Sequence, residues 1–282
     1  MKLLRHGPAG QEKPGLLDAT GRVRDLSALI DDISPELLAP ENLAELATLD
    51  ESSLPLVPAD VRLGPPLARI GKIVCVGLNY ADHAKESGLP VPAEPVLFMK
   101  ATSAISGPFD PVILPRGSSK TDWEVELGVV IGSKAQYVER AEAMDYVAGY
   151  CIVNDVSERA FQLERGGQWD KGKSADTFAP IGPWLVTRDE LADVADLQLR
   201  LSVNDELRQQ GNTRTMIFSI EEIVSYVSQF MTLNPGDVIS TGTPPGVGAG
   251  MSPPQFLKPG DRMTLSIAGL GEQTQDVQAW QR

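Results

Sequence analysis

The stretch TDWEVELGVVIG, residues 121–132, constrains this chain more than any other. Trp123, Val125, Leu127 and Val129 alternate with Glu124, Glu126, Gly128 and Val130, which is the period of a β-strand. Glu124 and Glu126 then leave one face of that strand, roughly 7 Å apart along the chain, within joint reach of a single cation. The run continues into VVIG, which predicts a strand covered on both faces. Two buried carboxylates need a cation, a proton or a way out to water. Taken alone, an ExE pattern is more often a solvated glutamate face, and the rest of the chain decides between the two readings.

His6 and His83 are the two histidines of the chain, which excludes a multi-histidine zinc or iron centre, and the two cysteines lack paired zinc spacing. Any metal is therefore held mainly by oxygen. Cys75 in IVCVG and Cys151 in GYCIV lie in apolar, strand-like runs and read as reduced, buried, small hydrophobes. The net charge of −13 repels nucleic acid and anionic membrane surfaces, so neither is expected as a partner. An anionic substrate would need a metal and a few placed Lys or Arg residues against that background. With 42% apolar residues in 282, the chain can bury a substantial core, as one large domain or a large one plus a small one. MKLLRHGPAG carries no apolar leader segment and no run approaches the length of a membrane span, so the cytoplasm is the expected location.

Residues 1–66 read as a small β-rich N-terminal domain with a proline-punctuated connector. It has a hairpin turn at Ala19-Thr20-Gly21 and helical candidates at residues 34–38 and 41–49. Residues 67–282 read as the second, larger domain. There KIVCVG is a buried strand, and Asn79 or Asp82 can cap a short helix on which His83 and Glu86, at i and i+3, share a face. A carboxylate beside an imidazole orients it and raises its basicity, as a general base acting on water requires; the alternative is a solvated surface helix. Asp155 follows the apolar residues 150–153 to a sheet edge, a plausible third oxygen ligand. WDKGKSADTFAPIGPWLVT packs Lys171, Lys173 and Thr177 between glycines and prolines, either as solvent-facing decoration or as local positive potential for an anion. Asn204-Asp205 reads as a hairpin turn, and Ser219 with Glu222 as a capping box opening a core helix. The loop GTPPGVGAG lacks the lysine of a P-loop and the spacing of a dinucleotide fingerprint. Many strands with few long helices predict a β-dominated α+β fold.

Five blocks in this order, GLNYADHAKE, TDWEVELGVVIG, VNDVSER, KGKSADTFAPIGPW and STGTPPGVG, resemble the fumarylacetoacetate hydrolase family from about Gly71 onward. KLLRHGPAGQEKPGLLD and the form of the KGKSADTF block are similar to its bacterial sugar-acid branch, that of the 2,4-diketo-3-deoxy-L-fuconate hydrolases, whose relatives are often labelled ureidoglycolate lyase. The resemblance implies a mixed β-sandwich roll in the larger domain, a homodimer, and a divalent metal (magnesium, manganese or calcium) held by Glu124, Glu126 and Asp155. Three carboxylates without a soft ligand also select a hard cation. By the same resemblance His83 falls on the general base, with Glu86 its partner. Arg159 and Gln162 fall near the active-site water and substrate, Lys173 and Thr177 on positions that contact the metal-bound substrate, and Thr243 on the position that holds the substrate carboxylate. Lys100, which closes PVLFMK, is placed among the substrate-binding residues. The pattern departs at Leu78, where many small-acylpyruvate members carry an arginine, and this weighs against a simple acylpyruvate substrate.

The implied activity is metal-dependent hydrolysis of a carbon–carbon bond in a small anionic 2,4-dioxo acid, a diketo-deoxy sugar acid among the candidates. The products are pyruvate or a related 2-oxo acid and a carboxylic acid. His83, held by Glu86, would take the proton of the attacking water, and Lys173 would place positive charge where an enolate develops. The rivals are decarboxylation of a 2-oxo acid such as oxaloacetate, lyase chemistry on ureidoglycolate, and metal-dependent binding of dicarboxylates without catalysis. Pure binding would need neither His83 nor Glu86. The polar residues 79–92, with Gly88, Pro90 and few apolar side chains, are expected to close over the site when a 2-oxo acid binds.

Overall fold

A computed structural model of the 282-residue chain describes residues 1–86 and 90–282, and for His83, Ala84 and Lys85 the backbone alone. The fold is α+β and dominated by strands. Its centre is the strand Val125–Ile131, buried at every position, as the apolar alternation running into VVIG predicts. This strand pairs antiparallel with Val147–Asn154 on one side and with Val238–Ser240 on the other. Val238–Ser240 runs parallel to Ile73–Gly77, which pairs antiparallel with Val96–Lys100. Beyond Val147–Asn154 lies Ala179–Thr187, and beyond that the N-terminal strand Lys2–His6, in the register Leu3↔Leu185. The N-terminal segment therefore shares the large sheet with the rest of the chain.

A second sheet, made of Glu206–Asn212, Gln198–Val203, Arg262–Ile267, Gly271–Ala279 and Val112–Leu114, packs on the first. The two layers are joined by fully buried amides as well as apolar contacts. Gln209 accepts from Val125 N at 3.0 Å, and Gln275 accepts from Asn154 Nδ2 at 3.0 Å. These bonds satisfy polar groups at the same end of the central strands, the end where Glu124 and Asp155 emerge.

Several local expectations match. The Asn204-Asp205 turn has both residues at positive φ, 52° and 63°, as a tight hairpin of this kind demands. Ser219 Oγ caps Ile220–Phe230 by accepting from Glu222 N at 3.4 Å. Cys75 and Cys151 are free and buried, and burial pushes the Cys151 thiol up to about 12. Among the described residues no helix is long and apolar enough to cross a membrane.

Two expectations need correction. The stretch read as one strand is two, Thr121–Asp122 and Val125–Ile131, with Trp123 and Glu124 in the break. The break is held by side chains: Asp122 accepts from Trp123 N, and the indole of Trp123 donates to Gly246 O at 3.1 Å. The segment proposed to close over the site is also not loose from its first residue. Asn79 is fully buried, donates to Thr241 O at 2.8 Å and accepts from Phe218 N at 2.8 Å, and Tyr80 is fully buried beside it. The rest of that expectation runs through residues 87–89, outside the described residues.

Candidate active site

Three strand ends and two short helices converge on one cavity of about 510 Å³. Glu126 rises from the central strand, Glu124 from the break before it, and Asp155 from the residue after Val147–Asn154. One oxygen of each lies within 4.8 Å of the others, and all three are buried. Oxygen ligands around a hard divalent cation sit 2.0–2.6 Å from it, so opposite ligands are about 4–5 Å apart. The cluster matches that size, and its all-oxygen donors match that class of ion.

The electrostatics of the cluster point the same way. Asp122, Glu124, Glu126 and Asp155 are four buried carboxylates, against three buried or half-buried cations, Lys100, Lys173 and Arg159. Lys173 Nζ bridges two of the acids, at 2.8 Å from Glu124 Oε2 and 2.5 Å from Asp155 Oδ2. Burial alone would lower the Lys173 pKa, but Asp155 and Glu124 outweigh it and hold the ammonium protonated. Among the described residues no such cation is in direct contact with Glu126; it accepts from Ser240 Oγ at 2.6 Å and Gly242 N at 2.9 Å. Burial first, then the charges of Asp155 and Glu124, push its carboxyl well above the usual range. A cluster with one carboxylate so unwilling to ionise is one that a divalent cation would stabilise.

The helices Arg159–Leu163 and Asp170–Lys173 bring basic and amide groups to the same wall. They can touch because Gly172 lies between them: a Cβ there would sit 2.5 Å from Glu158 O and 2.6 Å from Gln162 N. Arg159 donates to Asp122 Oδ2 at 2.9 Å, to Glu124 Oε1 at 2.6 Å and to Gln162 Oε1 at 3.1 Å. It thereby locks the outer oxygen of Glu124. Also lining the cavity, Thr243 donates to Val125 O at 2.8 Å, and Glu86 accepts from Gly246 N at 3.1 Å with each carboxylate oxygen.

Of the residues singled out by sequence, Glu86, Glu124, Glu126, Arg159, Gln162, Lys173 and Thr243 line this cavity, and Asp155 completes the acidic triad behind Lys173. The His83 side chain lies outside the described residues, so its pairing with Glu86 rests on sequence. Two residues stand elsewhere. Lys100 is fully buried behind Asp155, donating to Asp155 Oδ1 at 2.5 Å and to Val156 O at 3.1 Å, and is not among the lining residues. It positions an acid of the triad. Thr177 turns away, at φ 67°, and its hydroxyl accepts from Ile113 N at 2.8 Å.

Sequence reasoning passed over Asp122 and Gly242. Asp122 is fully buried and accepts from Arg159 and from the amides of Gly248, at 2.7 Å, and Ala249, at 3.0 Å, tying the cavity's loop wall to its basic wall. The alternation itself carried the signal, since in one continuous strand residues 122, 124 and 126 would share one face. Gly242, at φ 98°, aims its N–H at Glu126, and a Cβ there would meet Asn79 Cβ at 2.8 Å and Val76 O at 3.0 Å. Gly242→Ala is therefore expected to cost about 1–3 kcal/mol and to weaken cation binding as the amide swings off Glu126. Urea unfolding and calorimetric metal titration of the variant check both effects.

The fumarylacetoacetate (FAA) hydrolase C-terminal family model matches residues 72–278. A protein of Burkholderia cenocepacia (strain HI2424), provisionally named a hydrolase, is 60% identical over 276 residues, 98% of each chain. Among solved structures, fumarylacetoacetate hydrolase from psychrophilic Exiguobacterium antarcticum superposes with a TM-score of 0.89 at 38% identity, covering 99% of this chain and 100% of that one. Maleylpyruvate hydrolase from Sphingobium sp. SYK-6, solved with manganese(II) and pyruvate, gives 0.82 at 32%, covering all of both chains. 2-Hydroxyhepta-2,4-diene-1,7-dioate isomerase from Mycobacterium marinum gives 0.80 at 35%, again over the whole of both. Hydrolases and an isomerase thus share this scaffold, and the chain belongs to the fumarylacetoacetate hydrolase family.

Proposed function

We propose that this protein is a divalent-metal-dependent hydrolase that cleaves the C3–C4 bond of 2,4-dioxo acids, releasing pyruvate or a related 2-oxo acid and a carboxylic acid. The observation that carries the reading is the buried triad of Glu124, Glu126 and Asp155 at the cavity, bridged by the Lys173 ammonium. The manganese and pyruvate in the Sphingobium maleylpyruvate hydrolase support it.

A magnesium or manganese ion held by the triad would supply positive charge against the oxo-acid end of the substrate. Hydrolysis adds the oxygen of water to C4, a base takes the proton, and the C3–C4 electron pair leaves on C3 as an enolate. Protonation at C3 gives the 2-oxo acid, and C4 departs as the carboxylic acid. Lys173 lines the cavity with a fixed positive charge, set by Glu124 and Asp155 before any substrate arrives. Such preorganised charge stabilises the enolate without reorganisation at the moment of cleavage. Arg159 keeps Glu124 in place and orients Gln162. His83, with Glu86, is the proposed base.

The test is product identification with magnesium or manganese and a panel of 2,4-dioxo acids, oxaloacetate and ureidoglycolate. Pyruvate and a carboxylic acid from a dioxo acid are expected; carbon dioxide from oxaloacetate alone would replace hydrolysis by decarboxylation. His83→Ala is expected to slow dioxo-acid hydrolysis by roughly a hundred- to ten-thousand-fold while leaving metal affinity intact, since a base and not a ligand is removed. Hydrolysis at the parent rate would end that assignment.

A further inference from the structure

Asp122 is not one of the three acids whose oxygens cluster. Its carboxylate is fully buried, and both of its oxygens are taken up by N–H donors. Oδ1 accepts from Trp123 N at 2.9 Å and from Gly248 N at 2.7 Å. Oδ2 accepts from Ala249 N at 3.0 Å and from Arg159, through Nε at 2.9 Å and Nη2 at 2.8 Å. A carboxylate so occupied has its lone pairs committed before any ion arrives. What it fixes is one edge of the Arg159 guanidinium.

That edge decides where the rest of the guanidinium points, because the group is planar and its donors are rigidly placed relative to one another. With Nε and Nη2 on Asp122, Nη2 also reaches Glu124 Oε1 at 2.6 Å and Nη1 reaches Gln162 Oε1 at 3.1 Å. Arg159 is thus shared between Asp122 and an acid of the triad. Burial works against its charge, and Asp122 first, then Glu124, outweigh burial. A guanidinium given wholly to Glu124 would form a closed ion pair there, and an incoming cation would have to break it.

The same carboxylate carries a wall of the cavity. Gly248 sits so close that a Cβ there would stand 2.8 Å from Asp122 Oδ1, and Val247, Ala249 and Gly250 around it line the cavity.

We propose that Asp122 is a positioning residue, which holds Arg159 and the loop of residues 247–250 and keeps the guanidinium from closing on Glu124, so that Glu124 stays available to the ion. The inference rests on the preceding reading only for an ion at the triad.

Calorimetric manganese affinity, measured without substrate, reads this directly. Asp122→Asn keeps the size and one acceptor oxygen but removes the charge, and Arg159 then has Glu124 as its acidic partner among the described residues. Manganese affinity is expected to fall about ten- to a hundredfold. Adding Arg159→Met removes the released cation, and affinity is expected to return to within about threefold of the parent, a recovery that a merely structural role of Asp122 would not give. An unaltered affinity in the single variant, or a loss without recovery in the double one, overturns the proposal and leaves the metal-dependent reaction standing. If the parent binds no manganese, both fall together. Hydrogen exchange of the unsubstituted protein covers the case in which Asp122→Asn does not fold. The amides of Gly248 and Ala249 are expected to be protected both without and with saturating manganese, since Asp122 stays on the loop when the ion binds. Rapid exchange at these amides in either state overturns the proposal.

Discussion

Asp155→Ala is expected to cost about 3–5 kcal/mol of stability and to reduce metal-dependent turnover to the level measured in chelator. The carboxylate is fully buried and takes Lys100 Nζ on one oxygen and Lys173 Nζ on the other, each at 2.5 Å. Among the described residues, removing it leaves Lys100 with the carbonyl of Val156 alone, and Lys173 with Glu124 as its remaining direct acidic partner. Taking one member from a buried ion pair is far more damaging than replacing the whole pair by apolar groups, because the stranded charge keeps its desolvation cost. Lys100→Met placed on top of Asp155→Ala is accordingly expected to return part of the lost stability but none of the activity. Urea unfolding and metal-dependent turnover of the single and double variants check this. A fall of under about 1 kcal/mol in the single variant, the range of an exposed pair, would mean that water reaches these lysines and that the site is not the closed cluster described above.

Glu126→Ala is expected to separate the two effects, with turnover falling as far as in the Asp155 variant and stability falling much less. Its partners are Ser240 Oγ and Gly242 N–H, and the expected loss for such groups is about 1–3 kcal/mol. Opposing that loss is the removal of a carboxyl that burial and two neighbouring acids already disfavour in its charged form. The vacated volume adjoins the cavity and can fill with water. Thermal unfolding with and without magnesium adds a readout independent of turnover. An ion that binds the folded state alone stabilises the parent by about 2.7 kcal/mol at a hundredfold excess over Kd, and the variant is expected to show no such response. A full magnesium response in Glu126→Ala would place the ion elsewhere.

The triad was legible because its signal is local. Period-two alternation puts Glu124 and Glu126 on one face, and the apolar run before Asp155 delivers it to a strand end, so three residues could be proposed without knowing how the strands pair. The break at Trp123 and Glu124 was not legible, since it depends on Gly246, which is 123 residues from Trp123 and accepts the indole N–H. Lys100 shows the same limit from the other direction. Its place at the end of a strand was readable, yet whether it faces substrate or the back of Asp155 is decided by the neighbouring strand order and by Val156. Thr177 was placed against the substrate by the family resemblance of the KGKSADTF block, but its left-handed backbone turns the hydroxyl to Ile113. The continuity of Lys2–His6 with the large sheet was likewise beyond local patterning, because its partner strand begins near residue 179.

The central claim is that a cation held by Glu124, Glu126 and Asp155 and a proton-accepting base together drive hydrolytic cleavage of a carbon–carbon bond. It is tested most directly by turning over a 2,4-dioxo acid with manganese in ¹⁸O-labelled water and analysing both products by mass spectrometry. The account predicts pyruvate and carboxylic acid in equal amounts, the new carboxylate carrying one solvent oxygen, with no products in the presence of chelator or from Glu126→Ala. Products formed in chelator, or pyruvate appearing without a solvent oxygen in the acid, would contradict it.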